Sequence, residues 1–397
     1  MEFKYYVRWS LFSSLCGILA GSAAAMFLIL LNWATNFRDH HQIIIWALPF
    51  AGFFIGWIYH YYGDNIAQGT NLILDEISEP KNIIPLKMAP FILLGTVATH
   101  LFGGSAGREG TAVQMGASLS DQLTKIFNIK PDERKILLIA GAGAGFGAAI
   151  GAPWAGVIFG MEIINIGRLR LFALFQCFIA SFVGYFTTLA LRAPHSAYPQ
   201  FQIPDLNFKT IIFVICAGII FGLSSQIFIL LTHFIERLNS RFISFPPLKP
   251  LFAGIFLVIL FYIEGTYRYV GLGIPYIQEA LIIKAHFRDP LLKTFFTALT
   301  IGSGFKGGEF IPLVFIGTTL GSALSILIPI SFQLLGALGF AAVFAGAANT
   351  PIACSLMAME LFGIKIGPYA LIACFVSYYF SGHSGIYKSQ KLVSVQI

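Results

Sequence analysis

The sequence consists of long apolar runs separated by short polar turns. Residues 211–231 and 251–263 are examples, and neither run shows the alternation that is typical of a transmembrane β-strand. Continuous runs predict membrane-spanning α-helices, each of which needs about 20 apolar residues. Many runs here are shorter or are interrupted by Gly and Pro, which predicts broken, tilted helices.

The runs predict a first pair of helices over residues 10–32 and 43–62, joined by a polar turn at 36–42. Lys4 and Arg8 precede the first run as in a signal peptide, but the run is too long for an h-region and predicts a retained helix. Later helices are expected at 89–102, 109–127, 209–236, 249–264, 310–328 and 337–348.

Composition agrees with a membrane-embedded, all-α protein, since 57% of the residues are hydrophobic and 11% are charged. The net charge of +7 is expected in loops near anionic lipid headgroups. Nucleic-acid binding is not expected, because no basic helix or soluble domain is present to carry it. The five cysteines show neither metal-ligand nor disulfide spacing, so we expect no metal and no cofactor.

Two glycine-rich stretches, at residues 103–116 and 302–317, place charges next to apolar segments. The first contains Arg108 and Glu109, and the second contains Lys306 and Glu309. A charge within a membrane is costly and normally faces a protein cavity or an ion path. Glycines allow close approach to a ligand, and a helix start offers unpaired N–H groups to an anion.

Anchor residues recur at matching distances in the two halves of the chain. Gly69 lies 40 positions before Glu109, and Gly271 lies 38 positions before Glu309. Pro153 follows Glu109 by 44 positions, and Pro351 follows Glu309 by 42. Glu162 and Glu360 then follow these two prolines by 9 positions each. Repeats that are interrupted at matching places predict a transport site near the membrane midplane. An inverted arrangement would bring the two helix starts together.

The repeat predicts two membrane units, residues 1–195 and 196–397, divided in the proline-containing loop at 193–208. Only fifteen residues follow Gly382, so no cytosolic regulatory domain is expected.

Three runs resemble motifs of the CLC family of chloride channels and anion/proton antiporters: GREGTAVQMG at 107–116, GAPWAGVIFGMEI at 151–163 and GGEFIP at 307–312. The resemblance covers nearly the whole chain, in the family's order. It implies a CLC-type fold with two inverted repeats and a homodimer in which each subunit has its own anion pathway. It also implies a multi-pass protein of a bacterial inner membrane.

Within that family the chain is most similar to the fluoride/proton antiporter branch. Thr111, Glu309 and Ile163 favour this branch, whereas Thr70 and Ile311 depart from its usual pattern. The resemblance therefore implies export of fluoride driven by protons. The alternative is a chloride channel or chloride/proton exchanger of the same family.

The resemblance assigns two acidic residues to ion coupling. Glu109 would be the gate, because its carboxylate can occupy the anion site when ionised and leave it when protonated. The alternative for Glu109 is a structural cap at a helix start. Glu309 would relay the proton, with a salt bridge to Lys306 or a cap as the alternative.

The predicted anion ligands come from four places in the chain. Backbone N–H groups at the two helix starts would bind the anion at Gly107, Arg108, Gly110, Phe310 and Ile311. Thr70 would add a hydroxyl group. Tyr387, in the run GHSGIY, would add a phenol, although an isolated tyrosine is often an interfacial anchor. The Arg108 and Lys306 side chains either attract anions or are paired structurally, and Phe310 is a candidate pore contact.

Glu162 and Glu360 occupy equivalent positions in the two repeats, which favours a shared structural task such as capping broken helices.

A membrane-embedded enzyme is the alternative from another class. It would need a nucleophile with a neighbouring base, or a set of metal ligands. The sequence contains no HExxH run, and His100 is the only histidine near either glycine-rich stretch, so we expect no enzymatic activity.

Overall fold

The computed structural model describes residues 2–382 and 384–392, and over these residues the chain forms sixteen α-helices and two short β-strands. The helices are α1 (Glu2–His40), α2 (Leu48–Tyr62), α3 (Thr70–Ser78), α4 (Met88–Leu101), α5 (Glu109–Ile126), α6 (Pro131–Ile150), α7 (Pro153–Glu162), α8 (Leu174–Ala190), α9 (Phe208–Phe242), α10 (Leu248–Glu264), α11 (Ile274–Ala280), α12 (Arg288–Gly302), α13 (Phe310–Leu324), α14 (Phe332–Ala348), α15 (Pro351–Phe362) and α16 (Gly367–Phe380). The strands β1 (Asn165–Ile166) and β2 (Lys391–Leu392) pair in parallel. The predicted all-helical fold class is confirmed.

The helices repeat in two sets, α1–α8 and α9–α16. Each set begins with a long helix, of 39 residues in α1 and 35 in α9, and continues with shorter and broken ones. The packing repeats as well: α1 lies on α8 as α9 lies on α16, and α5 lies on α6 as α13 lies on α14. Across the two sets, α2 packs against α10 and α7 packs against α15.

Among the described residues, four helical segments are long and apolar enough to cross a membrane: Phe3–His40, Gln42–Tyr62, Leu171–Ala190 and Phe208–Phe242. Five further apolar helices are only 10–17 residues long. Short helices of this kind end within the protein, and their ends need partners other than water.

The first predicted helices differ from the observed ones. The expected polar turn at 36–42 is mostly helical, because α1 continues to His40, well beyond the apolar run that ends near residue 32. The second span begins as a 3₁₀ helix (Gln42–Ala47), and α2 starts at Leu48 with Pro49 in its first turn. Proline is favoured at that position because its missing N–H would be unpaired there in any case.

Glycines allow the helices around the site to approach closely. A Cβ on Gly317 in α13 would overlap the carbonyl of Gly339 in α14, and a Cβ on Gly116 in α5 would overlap the carbonyl of Gly141 in α6. Small residues permit such backbone contact between membrane helices. The two helices that carry the glycine-rich motifs are therefore fixed against their neighbours.

Candidate functional site

The two glycine-rich stretches contact each other directly. The N–H of Gly107 donates to the carbonyl of Gly308 over 2.5 Å, and the N–H of Gly308 donates to the carbonyl of Gly107 over 2.9 Å. A Cβ on Gly308 would lie 2.8 Å from the backbone nitrogen of Gly110, so this approach requires glycine. The starts of α5 and α13 are thereby brought side by side.

Glu109, the first residue of α5, is buried, with 1% of its surface exposed. Its carboxylate accepts hydrogen bonds from Nε of Arg108 at 3.1 Å and from the backbone N–H of Arg108 at 3.3 Å. The Nη2 of the same guanidinium donates to Ser196 at 3.2 Å. The Arg108 side chain is therefore paired structurally, which is one of the two predicted alternatives, and its N–H is occupied by the Glu109 carboxylate.

The Gly107 N–H is also engaged, because it donates to Gly308. This corrects the expectation at Gly107. Across the described chain, no protein acceptor lies within hydrogen-bond distance of the N–H groups of Gly110, Phe310 and Ile311. The Thr111 N–H at the start of α5 likewise has no protein acceptor in the described chain. These first-turn amides are the groups that a helix start leaves open to an anion.

A cavity of about 360 Å³ is lined by Glu309, Thr70 and Tyr387, so the structure brings three predicted site residues together. Thr70 begins α3 directly after Gly69, whose φ of +61° favours glycine. Gln114 lines the same cavity and donates to the Thr70 hydroxyl at 3.4 Å. Gln114 is not among the predicted site residues, although it lies within the run GREGTAVQMG at 107–116.

Tyr387 reaches the cavity from a strap, residues 384–392, that follows α16. The strap is tied by Ser389, whose N–H donates to Asn71 Oδ1 at 3.0 Å, and by Gln390, which donates to the carbonyls of Ile163 at 2.8 Å and Ala348 at 2.9 Å. Tyr387 itself is buried, with 7% of its surface exposed. This burial disagrees with an interfacial anchor. His383 of the GHSGIY run lies outside the described residues.

Glu309 makes neither the salt bridge to Lys306 nor the helix cap that were the alternatives to a proton relay. It occupies the N-cap position of α13, but its side chain makes no capping hydrogen bond. No ion pair joins it to Lys306 in the part of the chain that the structure describes; the Lys306 ammonium instead lies 4.1 Å from the centre of the Tyr59 ring. The Glu309 carboxyl therefore faces the cavity.

Phe310 and Ile311 follow Glu309 in the first turn of α13, and both side chains are buried. The Phe310 ring packs edge-on against Phe344, with centroids 4.6 Å apart, and against Phe146, with centroids 5.6 Å apart. The Phe310 side chain therefore belongs to an aromatic cluster between α6, α13 and α14. Ile311 adds no polar side-chain group next to Glu309.

The residues 103–107, GGSAG, match the letters of the GxSxG motif of serine hydrolases. In the structure this run links two helices, whereas the hydrolase motif lies between a strand and a helix. The Ser105 hydroxyl bonds to Thr297 at 2.9 Å, and Nε2 of the nearby His100 bonds to the Gly107 carbonyl at 3.3 Å. The described chain therefore provides no histidine base for Ser105.

The fold and site are those of a polytopic membrane protein in which two related halves meet at opposed helix starts. The family model described as voltage gated chloride channel matches residues 51–382. The chain therefore belongs to the CLC family of voltage-gated chloride channels and related antiporters, and it is a multi-pass integral membrane protein.

A "Chloride/fluoride channel protein" of Pseudomonas syringae pv. tomato is 45% identical over 98% of this chain and 87% of its own length. Among solved structures, a CLC-type fluoride/proton antiporter superposes with a TM-score of 0.94 at 34% identity, covering 98% of each chain. A slow cyanobacterial Cl⁻/H⁺ antiporter has a TM-score of 0.83 at 20% identity, which supports the fold alone. The bacterial relatives support a location in the inner membrane.

Proposed function

We propose that this protein exchanges fluoride for protons and so exports fluoride across the membrane. The observation that carries the proposal is the placement of two acidic residues at the paired helix starts. Glu109 is buried at the first residue of α5, and Glu309 faces a cavity at the residue before α13. The Gly107–Gly308 bridge holds the two starts together. The relatives described as a chloride/fluoride channel protein and a CLC-type fluoride/proton antiporter support the same function.

Glu109 is the proposed gate. Ionised, its carboxylate is held at the start of α5 by the side chain and the backbone N–H of Arg108. Protonation removes the charge that Arg108 holds, so the side chain is released and an anion takes its place. The anion then accepts hydrogen bonds from the open N–H groups of Gly110, Phe310 and Ile311. Because the ionised Glu109 carboxylate and the anion compete for the same site, movement of the anion is coupled to protonation of Glu109.

Glu309 is the proposed proton relay between the cavity and Glu109. Its carboxyl lines the cavity and has no ion-pair partner among the described residues, so it is free to gain and lose a proton. Tyr387 lines the same cavity. The hydroxyl groups of Thr70 and Tyr387 are proposed to donate hydrogen bonds to the anion as it enters.

The second candidate is a chloride channel or chloride/proton exchanger. Thr70 and Ile311 favour it, because both residues depart from the pattern usual in the fluoride/proton branch. In either case we propose a homodimer within the lipid bilayer, with one pathway for halide and protons in each subunit and repeats at 1–195 and 196–397. We propose neither an enzymatic activity nor a cofactor.

The test uses purified protein in liposomes loaded with fluoride or with chloride. Anion efflux and proton uptake are recorded in the same sample. Fluoride efflux with a fixed ratio of proton uptake supports the proposal. Chloride efflux at an equal rate without proton uptake contradicts it and supports the second candidate.

A further inference from the structure

The basic residues of the two glycine-rich stretches differ in whether they have a carboxylate partner. In the first half, Arg108 forms an ion pair with Glu109 at 3.1 Å. In the second half, Lys306 lines the cavity, and none of the described carboxylates lies within ion-pair distance of its ammonium. A charge inside a protein is costly unless it meets an opposite charge or a polar group. Lys306 is therefore available to an anion in the cavity.

The surroundings of Lys306 hold its ammonium in place. The Tyr59 ring, also at the cavity wall, lies 4.1 Å from Nζ, a distance at which the ring face attracts a cation. The aliphatic stem passes over Gly95 of α4, where an added Cβ would lie 3.1 Å from both Cβ and Cγ of Lys306. Such packing fixes the stem and leaves the ammonium group at the cavity.

The two other lysines of this cavity both have hydrogen-bond partners in the protein. Lys388 forms an ion pair with Glu236 at 2.6 Å, and both side chains are about half exposed. Lys249 donates to the Ser240 hydroxyl at 3.0 Å. Of the three lysines that line this cavity, Lys306 is the one whose ammonium makes no hydrogen bond to a described protein group.

We propose that Lys306 holds a halide ion in this cavity, at a subsite separate from the amides at the two helix starts. The ammonium donates a charge-assisted hydrogen bond to the ion, and Tyr59 positions the ammonium. The Thr70 hydroxyl and the Gln114 amide line the same cavity and offer further O–H and N–H donors. This inference rests on the proposed function only in taking the cavity as part of the anion pathway.

The first test compares Lys306→Met, which keeps the stem, and Lys306→Arg, which keeps the charge, with Lys388→Gln as the matched control at a paired lysine. Fluoride and chloride binding to the purified protein are measured by calorimetry at constant ionic strength. We expect Lys306→Met to weaken halide binding roughly tenfold, as the loss of one charge-assisted hydrogen bond implies. Lys306→Arg and Lys388→Gln should bind nearly as the parent protein does.

The second test measures the halide concentration dependence of transport in liposomes. Lys306→Met should raise KM from the cavity side more than it lowers the maximal rate, and Tyr59→Leu should raise KM while Tyr59→Phe does not. Parent-like halide affinity and KM in Lys306→Met would overturn the inference. A parent protein that carries chloride without protons would instead overturn the proposed function, and the binding result for Lys306 would still stand.

Discussion

Glu162 and Glu360 cap each other's helices. The Glu162 carboxylate, at the end of α7, accepts the N–H groups of Ile352 and Ala353 at the start of α15 at 2.9 and 2.8 Å. Near the end of α15, the Glu360 carboxylate accepts the corresponding groups at the start of α7, also at 2.9 and 2.8 Å. The predicted shared task of these residues, capping broken helices, is confirmed, and each carboxylate meets the positive end of a helix.

The reciprocal caps should contribute to stability. Glu162→Ala leaves two first-turn N–H groups of α15 without an acceptor, and we expect a loss of about 2 kcal/mol of stability. Thermal unfolding of the detergent-solubilised protein measures it, with Glu133→Gln as the control. Glu133 pairs with Arg8 at a more exposed site, where an ion pair contributes little. Equal unfolding temperatures in the two variants would contradict the capping role.

Glu109→Gln should uncouple anion movement from protons. The amide cannot ionise, so it neither forms the ion pair with Arg108 nor carries a proton. We expect proton uptake per fluoride to fall at least about tenfold. Simultaneous recordings of fluoride and pH in liposomes measure the ratio. An unchanged ratio would leave Glu109 with a capping role only.

Glu309→Gln should remove the proton path and leave halide binding in place. Its carboxyl lines the cavity but makes no capping bond, so the folded structure should tolerate the amide. We expect proton uptake to fall at least about tenfold, with halide affinity nearly unchanged. Glu236→Gln, at the same cavity but paired with Lys388, is the control. Normal proton uptake in Glu309→Gln would assign the relay to another group.

Gly308→Ala should abolish transport through geometry alone. The added Cβ would lie 2.8 Å from the Gly110 nitrogen and would force the two helix starts apart. Gly184→Ala is the matched control, because its nearest contact would be an ordinary 3.4 Å. Fluoride efflux and unfolding temperature are measured together. Transport at the parent rate in Gly308→Ala would show that close contact of the starts is dispensable.

Acidification should loosen the strap that carries Tyr387. Lys391 bonds to Glu79 at 2.8 Å, and this hydrogen bond and the charge of Lys391 lower the pKa of Glu79 from 4.5. A lowered pKa means that the contact stabilises the strap above pH 4.5 and is lost as the pH falls through the folded-state value. The protection factors of residues 384–392 against hydrogen exchange, taken relative to the intrinsic exchange rate at each pH, should therefore fall at low pH. Glu79→Gln should make these protection factors nearly independent of pH.

The repeat and the motif residues could be predicted from sequence because they leave local signals. Spacing alone related Glu109 to Glu309 and Glu162 to Glu360, and glycine next to charge marked both helix starts. Helix ends were predicted less well: α1 continues to His40 because polar residues do not by themselves end a helix. The partners of Arg108 were also left open, because pairing depends on what the fold brings within reach.

By itself, the sequence determined the membrane class, the all-helical fold and the two-fold repetition, since hydrophobicity and glycine spacing act locally along the chain. Only the tertiary structure decided which groups remain free. In the folded protein the amide of Gly107 bonds to Gly308, and Arg108 pairs with Glu109. Lys306 has no carboxylate partner among the described residues and lies against the Tyr59 ring. The physical reason is that hydrogen bonds and ion pairs form between groups far apart in sequence, and each group that is paired is no longer available to an ion.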